Sequence, residues 1–292
     1  MPIDPEELEP LVALLDDRDS VVTELVDGRL ASFGPEVVRS LRNRAERESD
    51  PALRALITER GRRLNTEFRL ADLQDFTSRP PGPLSLFEGS WIISSLLDWT
   101  LTRDRYEELF FRCSQEYLAE GSDARTGVEN IRILNHIFYH RLGFTLYDVQ
   151  LRKTEHSLVS EALRTRQGNP FVLALIYLMI CQVSGLPVEL LCFTGGFVPA
   201  YVEGGRVLFY INVYRGGDIF PKERFDMLLK ATGLQVDKKS IRRRDESAML
   251  TLYLESLLYI HSQGSNDPLC TTLERALTTL GPDRYLTIDE QE

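Results

Sequence analysis

Through the first 75 residues, apolar positions recur at helical spacing between polar corners. Leu11, Leu14 and Leu15 form one group, and Val21, Val22, Leu25, Val26, Leu30 and Phe33 form the next. These spacings predict two short amphipathic helices. Gly34 is a fitting stop, and Pro35 opens a further helix. The pattern then returns: Asp19-Ser20-Val21-Val22 is echoed by Asp50-Pro51-Ala52-Leu53, and Leu25-Val26 by Leu56-Ile57. "TSRPPGPLS", Thr77 to Ser85, reads as a linker because its prolines cannot continue a helix. Helical patterns resume in "LFEGSWIISSLLDWT", "RDRYEELFFRCSQEYLAEG", "GVENIRILNHIFYHRLGF" and "SLVSEALRTRQ", with Ser157 a fitting N-cap for the last. "GNPFVLALIYLMICQVSGLPV" has Asn169 as N-cap and Pro170 at the first helical position. It is apolar nearly all round, which predicts a central, buried helix that ends at Gly185 and Pro187. Three extended runs follow, "VELLCFT", "FVPAYV" and "RVLFYINVY", the last two joined by the hairpin signal "VEGGR". The helices "KERFDMLLKATG", "DESAMLTLYLESLLYIHSQ" and "PLCTTLERALTTLG" complete the pattern before a polar tail. Many helices, one buried helix, a small antiparallel sheet and more helices define an α+β fold, mostly helical.

A chain of 292 residues, 43% of them hydrophobic, can bury a sizeable core, and its length favours two domains. The net charge of −10 argues against wrapping nucleic acid, which wants a basic face. The acidic start "MPIDPEELEP" lacks a secretory pattern, and the longest apolar run, Phe171 to Cys181, falls short of the ~20 residues a bilayer requires. The expectation is a soluble, cytoplasmic protein with no membrane segment. Cys113, Cys181, Cys192 and Cys270 form no CxxC pair. His136 and His140 share a helical face, but "HIFYH" lacks the glutamate of an HExxH zinc site. Neither a metal nor a cofactor is expected. The basic stretch "DKKSIRRRD" reads as a solvated loop with flanking acidic counter-charges. Trp91 and Trp99 fall on one helical face and suit core packing, while Tyr201, Tyr210 and Tyr214 are placed to line a pocket or to cap a sheet.

The repeated "LLxDxDxxV…L" unit near the N-terminus resembles a short HEAT-like repeat. The stretches "ILNHIFYHRLGF", "RQGNPFVLALIYLMICQVSGLPV" and "VLFYINVYRGGDIFPKERF" together resemble the transglutaminase-like (papain-type) core, and within it the bacterial SirB-type branch. The resemblance spans about Leu84 to Gly233. It implies three regions: a HEAT-like helical arm at 1–78, a transglutaminase-like core with flanking helices at 84–265, and a C-terminal helix with a polar tail at 266–292.

In that superfamily a cysteine at the N-terminus of the core helix is the nucleophile, activated by the helix dipole. A histidine on the following strands moves the proton, and an aspartate one strand further holds the imidazole. Carried onto this chain, the cysteine position falls at or beside Pro170. The histidine of "PGHF" falls on Gly196 of "TGGF", and the aspartate on Asn212 of "YINV". All three functional side chains are missing, so the resemblance implies a vacated catalytic site with Asn169, Tyr201 and Tyr210 as candidate binding residues. A plain packing role for Gly195 and Gly196 is compatible with this. A Cys192–His156 pair is the best substitute catalytic idea, although four residues of strand put Cys192 ~13 Å from Gly196. The expected role is capture of a peptide or protein partner, or scaffolding. The alternatives are a thiol-dependent hydrolase or amide transferase with a rebuilt site, and a helical-repeat adaptor with a vestigial cleft.

Overall fold

The structure is a computed structural model that describes residues 3–80, 82–147, 157–193, 196–231, 242–263, 269–281 and 285–286. The N-terminal helices are α1 (Pro5–Val12), α2 (Ser20–Ser32), α3 (Glu36–Arg47) and α4 (Pro51–Ser78). The sequence echo is a repeated cap. Asp19 accepts from the Val21 amide and Asp50 from the Ala52 amide, each at 2.9 Å, so each satisfies an orphan donor at a helix start. Leu30, Val37, Leu41, Ile57 and Leu64 fill the core of this arm.

The arm is continuous with the main body. α4 gives Ile57 and Leu64 to the arm core but Leu70 and Leu73 to the main core. Helix α5 (Ser85–Leu97) ends before Trp99, so the two tryptophans part company: Trp91 joins the main core, and Trp99 enters the arm core. The Trp99 ring lies so close to Gly61 that a Cβ there would collide with it. The shared helical face expected for the tryptophans is therefore cut off at the end of α5.

The main body continues with α6 (Arg103–Leu118) and α7 (Gly127–Asn135), which runs into a π-helical turn, His136–Arg141. Then come β1 (Thr145–Leu146), α8 (Val159–Thr165), β2 (Gln167–Gly168) and the buried helix α9 (Pro170–Val183). Ser157 does not cap α8; it accepts a hydrogen bond from Asn169 Nδ2 at 3.1 Å. Every residue of α9 from Val172 to Cys181 is buried. Burying each Leu or Ile there is worth roughly 1.5–3 kcal/mol, which outweighs any helix preference of the individual residues.

The chain then forms β3 (Val188–Phe193), β4 (Gly196–Glu203), β5 (Arg206–Asn212), a 3-10 turn (Val213–Arg215) and β6 (Asp218–Phe220). After α10 (Lys222–Ala231) come β7 (Arg242–Arg244), α11 (Glu246–Ser262), α12 (Leu269–Leu280) and β8 (Tyr285–Leu286). The main sheet is antiparallel, in the order β6-β5-β4-β3-β7-β8; β1 and β2 form a separate parallel pair. Part of the expected basic loop is thus a strand: Arg242–Arg244 pairs with β3, and a segment of the expected tail pairs with β7 in turn. The expected three-strand sheet is wider because β6, β7 and β8 are too short to show a period of two. The hairpin signal holds, with Gly204 and Gly205 at φ 58° and 76° as a two-residue turn requires.

The sheet has two faces. Leu190, Cys192, Tyr201, Phe209 and Ile211 pack with α9, while Leu191, Val198, Ala200, Tyr210 and Phe220 pack with Phe225 and Leu229 of α10. Helix α12 returns to the arm, where Arg275 grips Glu67 of α4 through two bonds of 2.8 Å. No described helix is long and apolar enough to cross a membrane.

Candidate functional site

The N-terminus of α9 and the ends of β4 and β5 converge, as the resemblance implies. What meets there is aromatic. Phe171 packs edge-on against Phe197 with centroids 5.5 Å apart, and Phe197 lies against Tyr214 at 5.9 Å. These three residues follow Pro170, Gly196 and Asn212 by one, one and two positions. The rings occupy the meeting point, and the Tyr214 phenol is the one titratable group among the three.

The polar side chains at the convergence are engaged locally. Asn169 Oδ1 accepts from the Val172 amide at 2.8 Å, capping α9, and its Nδ2 is bonded to Ser157. Asn212 Oδ1 accepts from the Tyr214 amide at 3.0 Å and starts the 3-10 turn. Gly196 stands opposite Phe193 in the β3–β4 register, and a Cβ on it would come within 2.9 Å of the Phe193 ring. Phe193 in turn meets Phe225 of α10 at 5.7 Å. Gly196 therefore faces α10, away from α9, and the period of two places Asn212 on that face with Tyr210. The residue next to Gly196 that faces α9 is Phe197. Gly195 lies outside the described residues.

The three candidate binding residues are not together. Asn169 caps the start of α9, and Tyr210 is buried under α10, stacked on Phe225 at 4.4 Å. Tyr201 lies on the α9 face and lines a cleft of about 830 Å³ beside the far end of α9. The separation of Cys192 from Gly196 expected along an extended strand does not hold, because the chain reverses between them. Cys192 stands opposite Phe197, buried on the α9 face. Its suggested partner, His156, lies outside the described residues.

That cleft is formed by the end of α6, the start of α7, the turn Ser184–Pro187 after α9, and the β4–β5 hairpin. Tyr117 and Tyr201 are 3% and 8% exposed, and neither phenol oxygen makes a hydrogen bond among the described residues. Burial pushes the Tyr117 hydroxyl up to about 12, so it is a neutral donor at ordinary pH. Ser184 Oγ is buried and likewise without a partner. Exposed Leu118 and Leu208 flank the opening. The lining is mixed, with Asp123, Arg125, Asn130 and Glu203 beside Leu186 and Phe209, and convergent polar groups in a concave site of this size are what a ligand site needs. Sequence reasoning singled out Tyr201 but missed Tyr117 and Ser184, which only the tertiary fold brings to it. The aromatic residues shortly after Pro170, Gly196 and Asn212 were visible in the sequence and were the missed signal for this cluster of rings.

Another contact went unseen. Arg166, at φ 63°, places Nη1 2.7 Å from Cys113 Sγ and lies over the Phe144 ring at 5.0 Å. Burial pushes the Cys113 thiol up, and the pull of Arg166 does not reverse it. A buried thiol of this kind is inert. Among the described residues, no cluster of three or more His, Cys, Asp or Glu is placed to hold a metal.

A family model described as transglutaminase-like superfamily matches residues 103–254, or 152 of 292. The chain belongs to the transglutaminase-like superfamily. The match runs from α6 into α11 and covers α9, the strands beside it and the cleft. No curated protein and no solved structure matches the chain.

Proposed function

We propose that this protein is a non-catalytic member of its superfamily, of the SirB-type branch, with a HEAT-like arm, and that it captures a peptide segment of a partner protein in the cleft lined by Tyr117, Tyr201 and Ser184. The observation that carries this reading is the row of rings from Phe171 through Phe197 to Tyr214 at the start of α9, with Gly196 and Asn212, the positions the resemblance assigns to the histidine and aspartate, turned to the other face of the sheet. A further support is the cleft's set of three hydroxyls without protein partners among the described residues, of which Ser184 Oγ is fully buried. An unpaired buried polar group costs about 1–3 kcal/mol, and a ligand that pairs it recovers that cost. Backbone amides of an extended peptide supply such partners, while Leu118, Leu186, Leu208 and Phe209 offer apolar contacts to its side chains. A cytoplasmic location accompanies the proposal, since the four cysteines are in no disulfide.

The test is selection of random displayed peptides on the full-length protein, followed by binding measurements on the recovered sequences. Tyr201→Ala and Ser184→Ala are expected to weaken binding about tenfold each, the loss of one well-buried anchor. Val21→Asp with Leu25→Asp, on the exposed face of α2, is expected to leave it unchanged. The reverse result supports an adaptor acting through the arm. Rapid labelling of Cys192 by a thiol-reactive probe at neutral pH, faster than a free cysteine, overturns the non-catalytic reading in favour of a rebuilt thiol enzyme.

A further inference from the structure

His136 and His140 stand on the outer face of the π-helical turn, four residues apart. Both are exposed, with ring centroids 5.6 Å apart and planes inclined by 32°. Neither ring makes a hydrogen bond among the described residues. A π-turn closes its bonds from i to i+5, so each turn holds more residues than an α-turn. That brings i and i+4 closer to one radial line and sets the two imidazoles one above the other. The nearest charge along the chain is already neutralised: Arg141 pairs with Glu116 of α6 and with Glu120 just beyond it. An ion held about 2.1 Å from one nitrogen of each ring sets the centroids roughly 5 Å apart. A small rotation about the side-chain bonds of exposed histidines reaches that from the observed separation.

We propose that His136 and His140 form a two-imidazole chelate for a late first-row divalent cation, Cu2+, Ni2+ or Zn2+, with water completing its shell. This is not the glutamate-assisted zinc site of HExxH enzymes, because no acidic side chain stands in the motif. It is an exchangeable surface site that braces the π-turn. The π-turn directly follows Asn135, whose side chain holds the Gly217 carbonyl of the β5–β6 turn, so a bound ion stiffens a segment tied to the sheet. The proposal does not depend on the peptide-binding cleft.

The experiment is calorimetric titration of the full-length protein, carrying Cys270→Ser to remove the partly exposed thiol, with CuCl2, NiCl2, ZnCl2 and MgCl2 in turn. One ion per chain is expected, strongest for Cu2+, weaker for Ni2+ and Zn2+, and undetectable for Mg2+, the order imidazole ligands impose. His136→Ala and His140→Ala should each lower Cu2+ affinity at least ~10-fold, because each leaves a single monodentate ring. His136→Gln and His140→Gln, with circular dichroism to verify folding, should do the same. Electron paramagnetic resonance of the Cu2+ form should show splitting from two imidazole nitrogens. Affinity that survives both histidine substitutions, or a Cu2+ spectrum lacking nitrogen splitting, overturns the proposal.

Discussion

Gly217 lies directly against Asn135: the asparagine Nδ2 donates to the glycine carbonyl at 2.6 Å, and a Cβ on Gly217 would collide with the same side chain. Tyr177 of α9 donates to Asn135 Oδ1 at 2.9 Å, so one amide joins α7, α9 and the β5–β6 turn. Gly217 is also at φ 79°, where a side chain is strained. Gly217→Ala therefore combines strain with a clash and should destabilise by about 2–4 kcal/mol, read as a lowered denaturation midpoint. Asn135→Ala removes both bonds and should cost about 1–3 kcal/mol. If both variants unfold like the wild type, Asn135 is not the joint between these elements.

Introducing the residues that the resemblance assigns to Pro170, Gly196 and Asn212 should not produce chemistry. In the triple variant Pro170→Cys, Gly196→His, Asn212→Asp, the new imidazole starts from a backbone position that faces Phe193 and α10, on the other side of the sheet from α9. The new thiol would still meet Phe171, Phe197 and Tyr214. The expected outcome is loss of stability by at least ~1 kcal/mol, from displacing Phe193, with no thiol-dependent amide cleavage or transfer. Appearance of such activity would show that Gly196 reaches the helix N-terminus after all.

Several helices were legible because apolar spacing was reinforced by an end signal: Asp19, Asp50 and Asn169 are caps, and "VEGGR" marks the hairpin between β4 and β5. The superfamily was legible because α9 is apolar all round and is followed at once by alternating strands. The facing of Gly196 was not legible. A strand read alone gives parity but not which face meets which helix, and residues 194 and 195 intervene between two strands whose pairing fixes the register. The cleft was hidden for a similar reason: Tyr117, Ser184 and Tyr201 come from three distant segments. The π-turn was also hidden, because "HIFYH" fits an α-helix equally well by pattern.

Asn169 should matter for folding more than for binding. Its carbonyl oxygen caps α9 and its amide is bonded to buried Ser157. Asn169→Ala should cost about 1–2 kcal/mol. Asn169→Asp keeps the capping oxygen and adds a charge favoured by the helix dipole, so it should recover part of that loss. Chemical denaturation of the two variants beside Ser157→Ala checks this. Equal losses in the Ala and Asp variants would show that the bond to Ser157, and not the cap, dominates.

Alkaline pH should unfold the protein through its buried tyrosines. Burial pushes the Tyr117 hydroxyl up to about 12, and it also raises Tyr106, Tyr139, Tyr177 and Tyr253. In the unfolded chain these phenols ionise near the ordinary value of about 10. The folded state therefore holds more protons than the unfolded state once pH exceeds that value, and stability falls with rising pH. It is fully present below about pH 10 and is lost progressively as pH climbs through the raised folded values. Tyr106, with its hydroxyl 2.7 Å from Ser90 Oγ in the main core, should ionise only on unfolding. Tyrosinate absorbance and far-ultraviolet circular dichroism, followed together from pH 8 upward, should therefore show one group of phenols titrating early and the rest appearing with the loss of helix. Tyr117→Phe removes one contributor and should flatten the alkaline decline while changing neutral stability little. If all the phenols titrated near their ordinary value with helix intact, the hydroxyls assigned to the core and the cleft would not be buried as the structure places them.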